Sequence, residues 1–247
     1  MTNVASARAL TPVSEQIAEI IQRVPGWTPA EQLAALYDLV LGVASLPGDV
    51  VEIGSWCGRS SVVLGSAVAA SGGGRVWSVD LFPHRDDWVE NEDGTYSFIV
   101  KLGDRTIRAP RVHTFWREPY ERDVKPLYTR YASVLDAFNE SVERFRLGDV
   151  VRPVRGDVEE FARTRTPDFA CKLAFLDGDH SYESVCEDIK RIEPMLVDGA
   201  WLCFDDAFAG YEGVTRAIED LVLDSPTYDL TAQLTRKLFV ARRRPRA

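Results

Sequence analysis

The segment Val51-Glu52-Ile53-Gly54-Ser55-Trp56-Cys57-Gly58-Arg59-Ser60 constrains the fold more than any other part of the chain. The apolar run Asp49-Val50-Val51-Glu52-Ile53 ends at a glycine turn, and a helix-like run from Ser60 to Val68 follows directly. A strand, a glycine-rich turn and a helix N-terminus in that order form the edge at which an α/β sheet holds a nucleotide-like ligand, because the first helical amides are unpaired and the dipole is positive there. The spacing is G-x-x-x-G, so the dinucleotide fingerprint is not met. Gly54 and Gly58 would let backbone approach a ligand closely, and Glu52, one residue before the turn, would offer a carboxylate to a cationic or hydroxylated ligand. An ordinary βα turn is the competing reading.

The second expected strand, Arg75-Val76-Trp77-Ser78-Val79-Asp80, sharpens that choice. Asp80 lies 26 residues after Gly54, one βαβ step, where an acid can accept both ribose hydroxyls of a nucleoside. With E-I-G-x-x-x-G-x-S on the first strand and Asp at the end of the second, the chain resembles the class I S-adenosylmethionine-dependent methyltransferases. It looks closest to their metal-dependent O-methyltransferases, which include catechol and sugar enzymes. The resemblance covers roughly residues 45–82 and 146–242. It implies a doubly wound, mostly parallel seven-stranded α/β sheet, with Tyr228 to Leu234 and Lys237 to Arg242 as an antiparallel edge. It also implies S-adenosylmethionine held by Glu52, Gly54, Ser55, Trp56, Gly58, Ser60, Asp80, Asp157 and Asp177. Asp157 follows the expected strand Val150 to Val154, where a residue borders the adenine in such enzymes; a plain turn acid is the alternative.

The chemistry is expected further along. Leu173 to Leu176 and Ala200 to Phe204 read as consecutive strands, the first ending in Asp177-Gly178-Asp179-His180 and the second in Asp205-Asp206. Adjacent parallel strands lie about 5 Å apart, so Asp177, Asp205 and Asp206 should converge at the binding edge. Three carboxylates there repel unless a cation sits among them, and all-oxygen ligands suit a hard divalent ion such as Mg²⁺. Helix capping and a polar turn are the plainer roles. A hydroxyl acceptor must lose its proton before it can attack a methyl group. His180 is the first candidate base, since its ordinary pKa lies near neutrality, and Asp179 is the second. Asp-Gly-Asp-His followed by Asp-Asp resembles the sugar-modifying branch, whereas the catechol branch usually carries lysine near position 180 and asparagine at 206. The expected acceptor is therefore a sugar, saccharide or small natural product. A catechol-type enzyme, a hydroxylase-associated protein and a non-catalytic S-adenosylmethionine-binding protein are the alternatives.

The 247 residues suit one methyltransferase domain. Residues 1–46 are expected to form a helical cover, with Thr28-Pro29-Ala30-Glu31 as a capping box for the second helix. Residues 83–131 read as an irregular insert, rich in aromatics (Trp88, Tyr96, Phe98, His113, Phe115, Trp116, Tyr120) and arginines (Arg105, Arg108, Arg111, Arg117, Arg122, Arg130). Its expected role is an acceptor lid; a dimer contact or a structural cover is the other reading, so a homo-oligomer stays open. A net charge of −9 argues against nucleic acid as a partner. Lys237, Arg242, Arg243, Arg244 and Arg246 read as a solvated basic tail. No apolar run reaches membrane-span length, no secretory signal is expected, and Cys57, Cys171, Cys186 and Cys203 lack metal-type spacing, all of which suits a cytoplasmic protein without a membrane partner.

Overall fold

The computed structural model describes residues 12–109 and 114–246. Its centre is a seven-stranded sheet of β1 (Asp49–Ile53), β2 (Val76–Asp80), β6 (Val151–Arg155), β7 (Cys171–Leu176), β8 (Leu196–Phe204), β9 (Tyr228–Gln233) and β10 (Phe239–Arg243). The order is β6-β2-β1-β7-β8-β10-β9. The pairs β2–β6, β1–β2, β1–β7 and β7–β8 are parallel, and β10 runs antiparallel to both neighbours. This is the doubly wound arrangement that the sequence implies. The strand order reverses on either side of β1, and the carboxyl edge there is where such sheets bind ligands.

Helices cover both faces. On one face α1 (Val13–Arg23), α2 (Ala30–Gly42), α3 (Arg59–Ser71) and α6 (Val134–Arg144) bury Ile20, Leu33, Leu36, Leu64 and Phe138. On the other, α7 (Val158–Arg163), α8 (Tyr182–Ile192) and α9 (Glu212–Ile218) bury Phe161, Ile189, Ile192 and Ile218. Strand β7 is buried along its whole length, as a central strand covered on both faces must be. No helix among the described residues is long and apolar enough to cross a membrane. All four cysteines are free and buried.

Two local expectations need correction, and a third holds. The expected capping box is absent: α2 starts at Ala30 behind Pro29, with no side-chain cap, and Thr28 is buried. The last two strands do form the expected antiparallel edge as a pair, with β10 next to β8 and β9 outermost. The buried run Phe239-Val240-Ala241 explains that order, since it needs cover on both faces, whereas β9 is mostly exposed. Finally, the basic C-terminal end is not a solvated tail. Arg242 pairs with Asp229 at 2.9 Å, Arg246 with Asp198 at 3.0 Å, and Arg243 donates to the Glu193 carbonyl at 2.8 Å.

The segment after β2 is more regular than its composition suggests. Strands β3 (Trp88–Glu90), β4 (Tyr96–Leu102) and β5 (Arg105–Arg108) make an antiparallel meander, followed by the short helices α4 (Arg117–Pro119) and α5 (Leu127–Arg130). Trp88 is its hub: Phe98 and Tyr120 each stand 5.3 Å from it, and its indole N–H donates to the Tyr128 hydroxyl at 2.7 Å. Tyr96 stacks on Tyr120 at 4.0 Å. Trp88 and Tyr120 pack against the main core, of which Tyr128 is part, and so join the insert to the domain. Arg111 and His113 lie outside the described residues.

Candidate active site

The carboxyl ends of β1, β2, β7 and β8, the Pro25–Thr28 turn and the inner face of the insert enclose a cleft of about 840 Å³. Its floor is the glycine turn. Asp80 lines the cleft and also holds that turn in place. One of its carboxylate oxygens accepts the Ser55 and Trp56 amides at 3.0 and 2.9 Å, and the other accepts the Phe82 amide at 2.6 Å. Those bonds hold the turn with Trp56 at φ +47°. Helix α3 begins at Arg59, behind Gly58, which provides no side-chain cap, and Ser60 in its first turn lines the cleft. Its first amides therefore face the cleft without a competing acceptor from the cap position.

The glycines of the turn also serve packing. A Cβ on Gly54 (φ +88°) would stand 2.1 Å from the Asp177 carbonyl oxygen, and one on Gly58 would stand 3.0 Å from the Phe138 ring. Gly54 lines the cleft, yet the space its missing side chain leaves is filled by the end of β7, so it is required for strand packing first. Glu52 is displaced from its expected role. It is fully buried beneath the turn, accepts the Ser61 and Ser78 hydroxyls, the latter at 2.8 Å, and does not line the cleft. Burial raises its pKa above the ordinary carboxylate range, partly offset by the serine hydroxyls.

At the far end of the cleft, Asp157 caps α7 by accepting the Glu160 amide at 2.9 Å, and it pairs with Arg105 of β5. The turn-acid reading thus describes its bonds, with the addition that it latches the insert to the sheet. From the insert, Phe98, Arg105, Ile107, Arg108, Phe115 and Trp116 reach the cleft. Arg117 and Arg130 are engaged by Glu90 and Glu140 instead, and Arg122 by Asp123.

Where β7 and β8 end, Asp177 and Asp205 come together with His180, and Asp206, the third expected ligand, is not part of that tight group. One donor atom each from Asp177, His180 and Asp205 lie within 4.8 Å of one another. His180 Nε2 stands 3.6 Å from Asp206 Oδ2 and 3.9 Å from Asp177 Oδ1, and its ring stacks on Tyr211 at 4.3 Å. Burial and then the neighbouring Asp205 charge raise the Asp177 pKa well above the ordinary range. Burial acts on Asp205 in the same direction, but a hydrogen bond from Asp177 and the charge of Lys237 outweigh it and hold its pKa low. Asp206 is raised, by burial and then by Asp205. The set of hard oxygen donors fits a divalent cation, with His180 nearer the tight group than the expected set allowed. Asp179 faces elsewhere in bonding terms: it accepts the Ser181 amide at 2.7 Å and the Ser184 hydroxyl at 3.1 Å, and so closes the start of α8 while lining the cleft.

Two residues of the cluster escaped the sequence reading. Gln32, from the first turn of α2, donates to Asp205 Oδ1 at 2.5 Å. Lys237 reaches Asp205 Oδ2 at 2.9 Å and Asp206 Oδ1 at 3.3 Å. The available signal was topological, since an antiparallel strand brings its first residues to the edge where its parallel neighbours end.

A seven-stranded sheet of this order, with a glycine turn, an acid closing β2 and acids closing β7 and β8, defines the class I methyltransferase fold. A family model described as a methyltransferase domain matches residues 51–207, more than half of the chain, and the chain belongs to that family. Among solved structures it is similar to the O-methyltransferase NovP, at 17% identity and a TM-score of 0.61, covering 95% of this chain and 97% of that one. It is also similar to CalS11, described as a TDP-rhamnose 3'-O-methyltransferase of calicheamicin biosynthesis, at 18% identity and a TM-score of 0.54, covering 93% and 92%. A third is TomG from Streptomyces achromogenes in complex with S-adenosylmethionine, at 15% identity and a TM-score of 0.56, covering 96% and 91%.

Proposed function

We propose that this chain transfers the methyl group of S-adenosylmethionine to a hydroxyl of a sugar, saccharide or small natural product, with a divalent ion, Mg²⁺ by its donor set, held at Asp177, Asp205 and Asp206. The observation that carries the reading is the meeting of Asp177 and Asp205 with His180, with Asp206 beside that imidazole, in the same cleft as the Gly54–Ser60 turn. The sugar acceptor draws support from CalS11, whose described substrate is a nucleotide-linked sugar.

S-adenosylmethionine supplies an electrophilic methyl group on sulfur, and the bound ion would lower the pKa of the acceptor hydroxyl and orient it. The chain supplies the rest. Asp80, fixed by three backbone amides, presents its carboxylate to the ribose hydroxyls. Ser55, Trp56 and the uncapped start of α3 line the methionine end. Asp157 and Arg105 border the base. His180 takes the acceptor proton: its imidazole faces the acids and is held flat by Tyr211, whereas both oxygens of Asp179 already accept bonds from α8. The insert covers the acceptor, with Phe98, Phe115 and Trp116 as its apolar wall and Arg105 and Arg108 as its polar one. Fixing donor and acceptor in line is the larger part of such catalysis.

The test is calorimetric titration with S-adenosylmethionine, followed by a mass-shift screen of hydroxylated acceptors with and without chelator. The expected result is cofactor binding in both conditions, and methylation that chelator abolishes and Mg²⁺ restores. Absence of cofactor binding would overturn the reading, and full turnover in excess chelator would remove the ion from it.

A further inference from the structure

Lys237 lies in the carboxylate cluster, and its position is built by the fold. Its carbonyl accepts the Ala207 amide at 3.0 Å, immediately beyond the acid pair, and the next two residues are anchored by the Leu238 amide on the Thr235 hydroxyl at 3.1 Å and by pairing of Phe239 with Phe204. Its side chain is 13% exposed and bridges one oxygen of Asp205 and one of Asp206. The other Asp206 oxygen faces His180, and Asp177 is within reach of the same imidazole. The lysine therefore takes one side of the acid pair and leaves the other toward His180 and Asp177. If a divalent ion displaced the Asp177 proton, three carboxylates would carry three negative charges, matched by one ammonium and one divalent ion.

We infer that Lys237 is a positioning residue that serves as the site's resident cation: it holds Asp205 and Asp206 together when no divalent ion is bound, and it lowers the site's affinity for that ion. The inference rests on the proposed metal role of these acids. The mechanism is electrostatic. Without a positive charge, the paired carboxylates would repel and splay or take up protons. With the ammonium in place they stay ordered, but an entering divalent ion meets a fixed positive charge. A single and a double charge about 5 Å apart, even at the dielectric of bulk water, weaken binding about tenfold. Such a site binds its ion weakly and reversibly and does not collapse when it leaves.

The experiment is a Mn²⁺ titration of the full chain, read from the electron paramagnetic resonance signal of free Mn²⁺, for wild type, Lys237→Met, Lys237→Gln and Lys237→Arg. Circular dichroism and S-adenosylmethionine calorimetry verify that each variant is folded; Gln keeps a hydrogen-bond donor and covers the case in which Met does not fold. The expected result is Mn²⁺ binding about tenfold tighter in the neutral variants, with Arg within about threefold of wild type, as removal or retention of one charge dictates. Binding by the neutral variants alone would also support the inference, while removing the ion from the wild-type reaction. Neutral variants that bind no tighter than wild type would overturn the inference and leave the metal reading intact. No binding by any protein would overturn both.

Discussion

Gly54→Ala separates strand packing from ligand approach. The added Cβ would lie 2.1 Å from the Asp177 carbonyl oxygen and 2.4 Å from its carbon, both backbone atoms that no side-chain rotation can move. The residue would also stay at φ +88°, which costs an L-residue about 1–2 kcal/mol. Relieving the contact means parting the ends of β1 and β7, whose last bond is the Asp177 amide to the Ile53 carbonyl at 2.8 Å, and losing that bond adds about 1 kcal/mol. The total is about 3 kcal/mol, or a melting temperature about 6–12 °C lower for a chain of this size. Because Asp177 moves with the strand, affinity for the proposed ion should fall as well. Thermal unfolding, S-adenosylmethionine calorimetry and Mn²⁺ binding on one preparation measure all three. A variant within about 1 kcal/mol of wild type that had lost only cofactor affinity would refute the packing argument and restore Gly54 to the purely ligand-facing role its motif suggests.

His180→Ala should lower turnover about 10²- to 10⁴-fold, the usual cost of a positioned base, and should remove the rise of rate with pH, while Asp179→Asn should lower the melting temperature more than the rate; the reverse pattern would make Asp179 the base. Glu52→Gln tests the buried carboxyl under the turn. Burial raises the folded-state pKa of Glu52, so its contribution to stability is complete below the ordinary carboxylate range and is lost as pH rises through the raised value. Denaturant unfolding should therefore show Glu52→Gln gaining on wild type as pH rises from acid to neutral and beyond; a difference that stays constant with pH would show that Glu52 titrates normally.

What the sequence reveals here follows from how local each signal is. The β1 turn, Asp80 and the paired acids after β7 and β8 were legible because each lies at the end of an apolar run, and parallel strands bring such ends together whatever the rest of the chain does. Glu52 was misread for a related reason. Strand β1 is buried on both faces, so alternation carries no information about which side faces the cleft, and the serines that receive the carboxylate, Ser61 and Ser78, lie 9 and 26 residues away. The meander in the insert was hidden because charged and polar residues interrupt the apolar positions of its strands, which pair with each other and not with the main sheet. Lys237 and Gln32 were invisible to any local rule. One precedes an antiparallel strand and the other opens a cover helix, yet both bond to Asp205, which is only 3% exposed. A carboxylate that deeply buried needs partners from outside its own strand to stay ionised. Its burial therefore requires a donor and a cation from elsewhere in the chain, and the antiparallel β10 is the element that delivers the cation to an edge otherwise built from strand ends that carry acids.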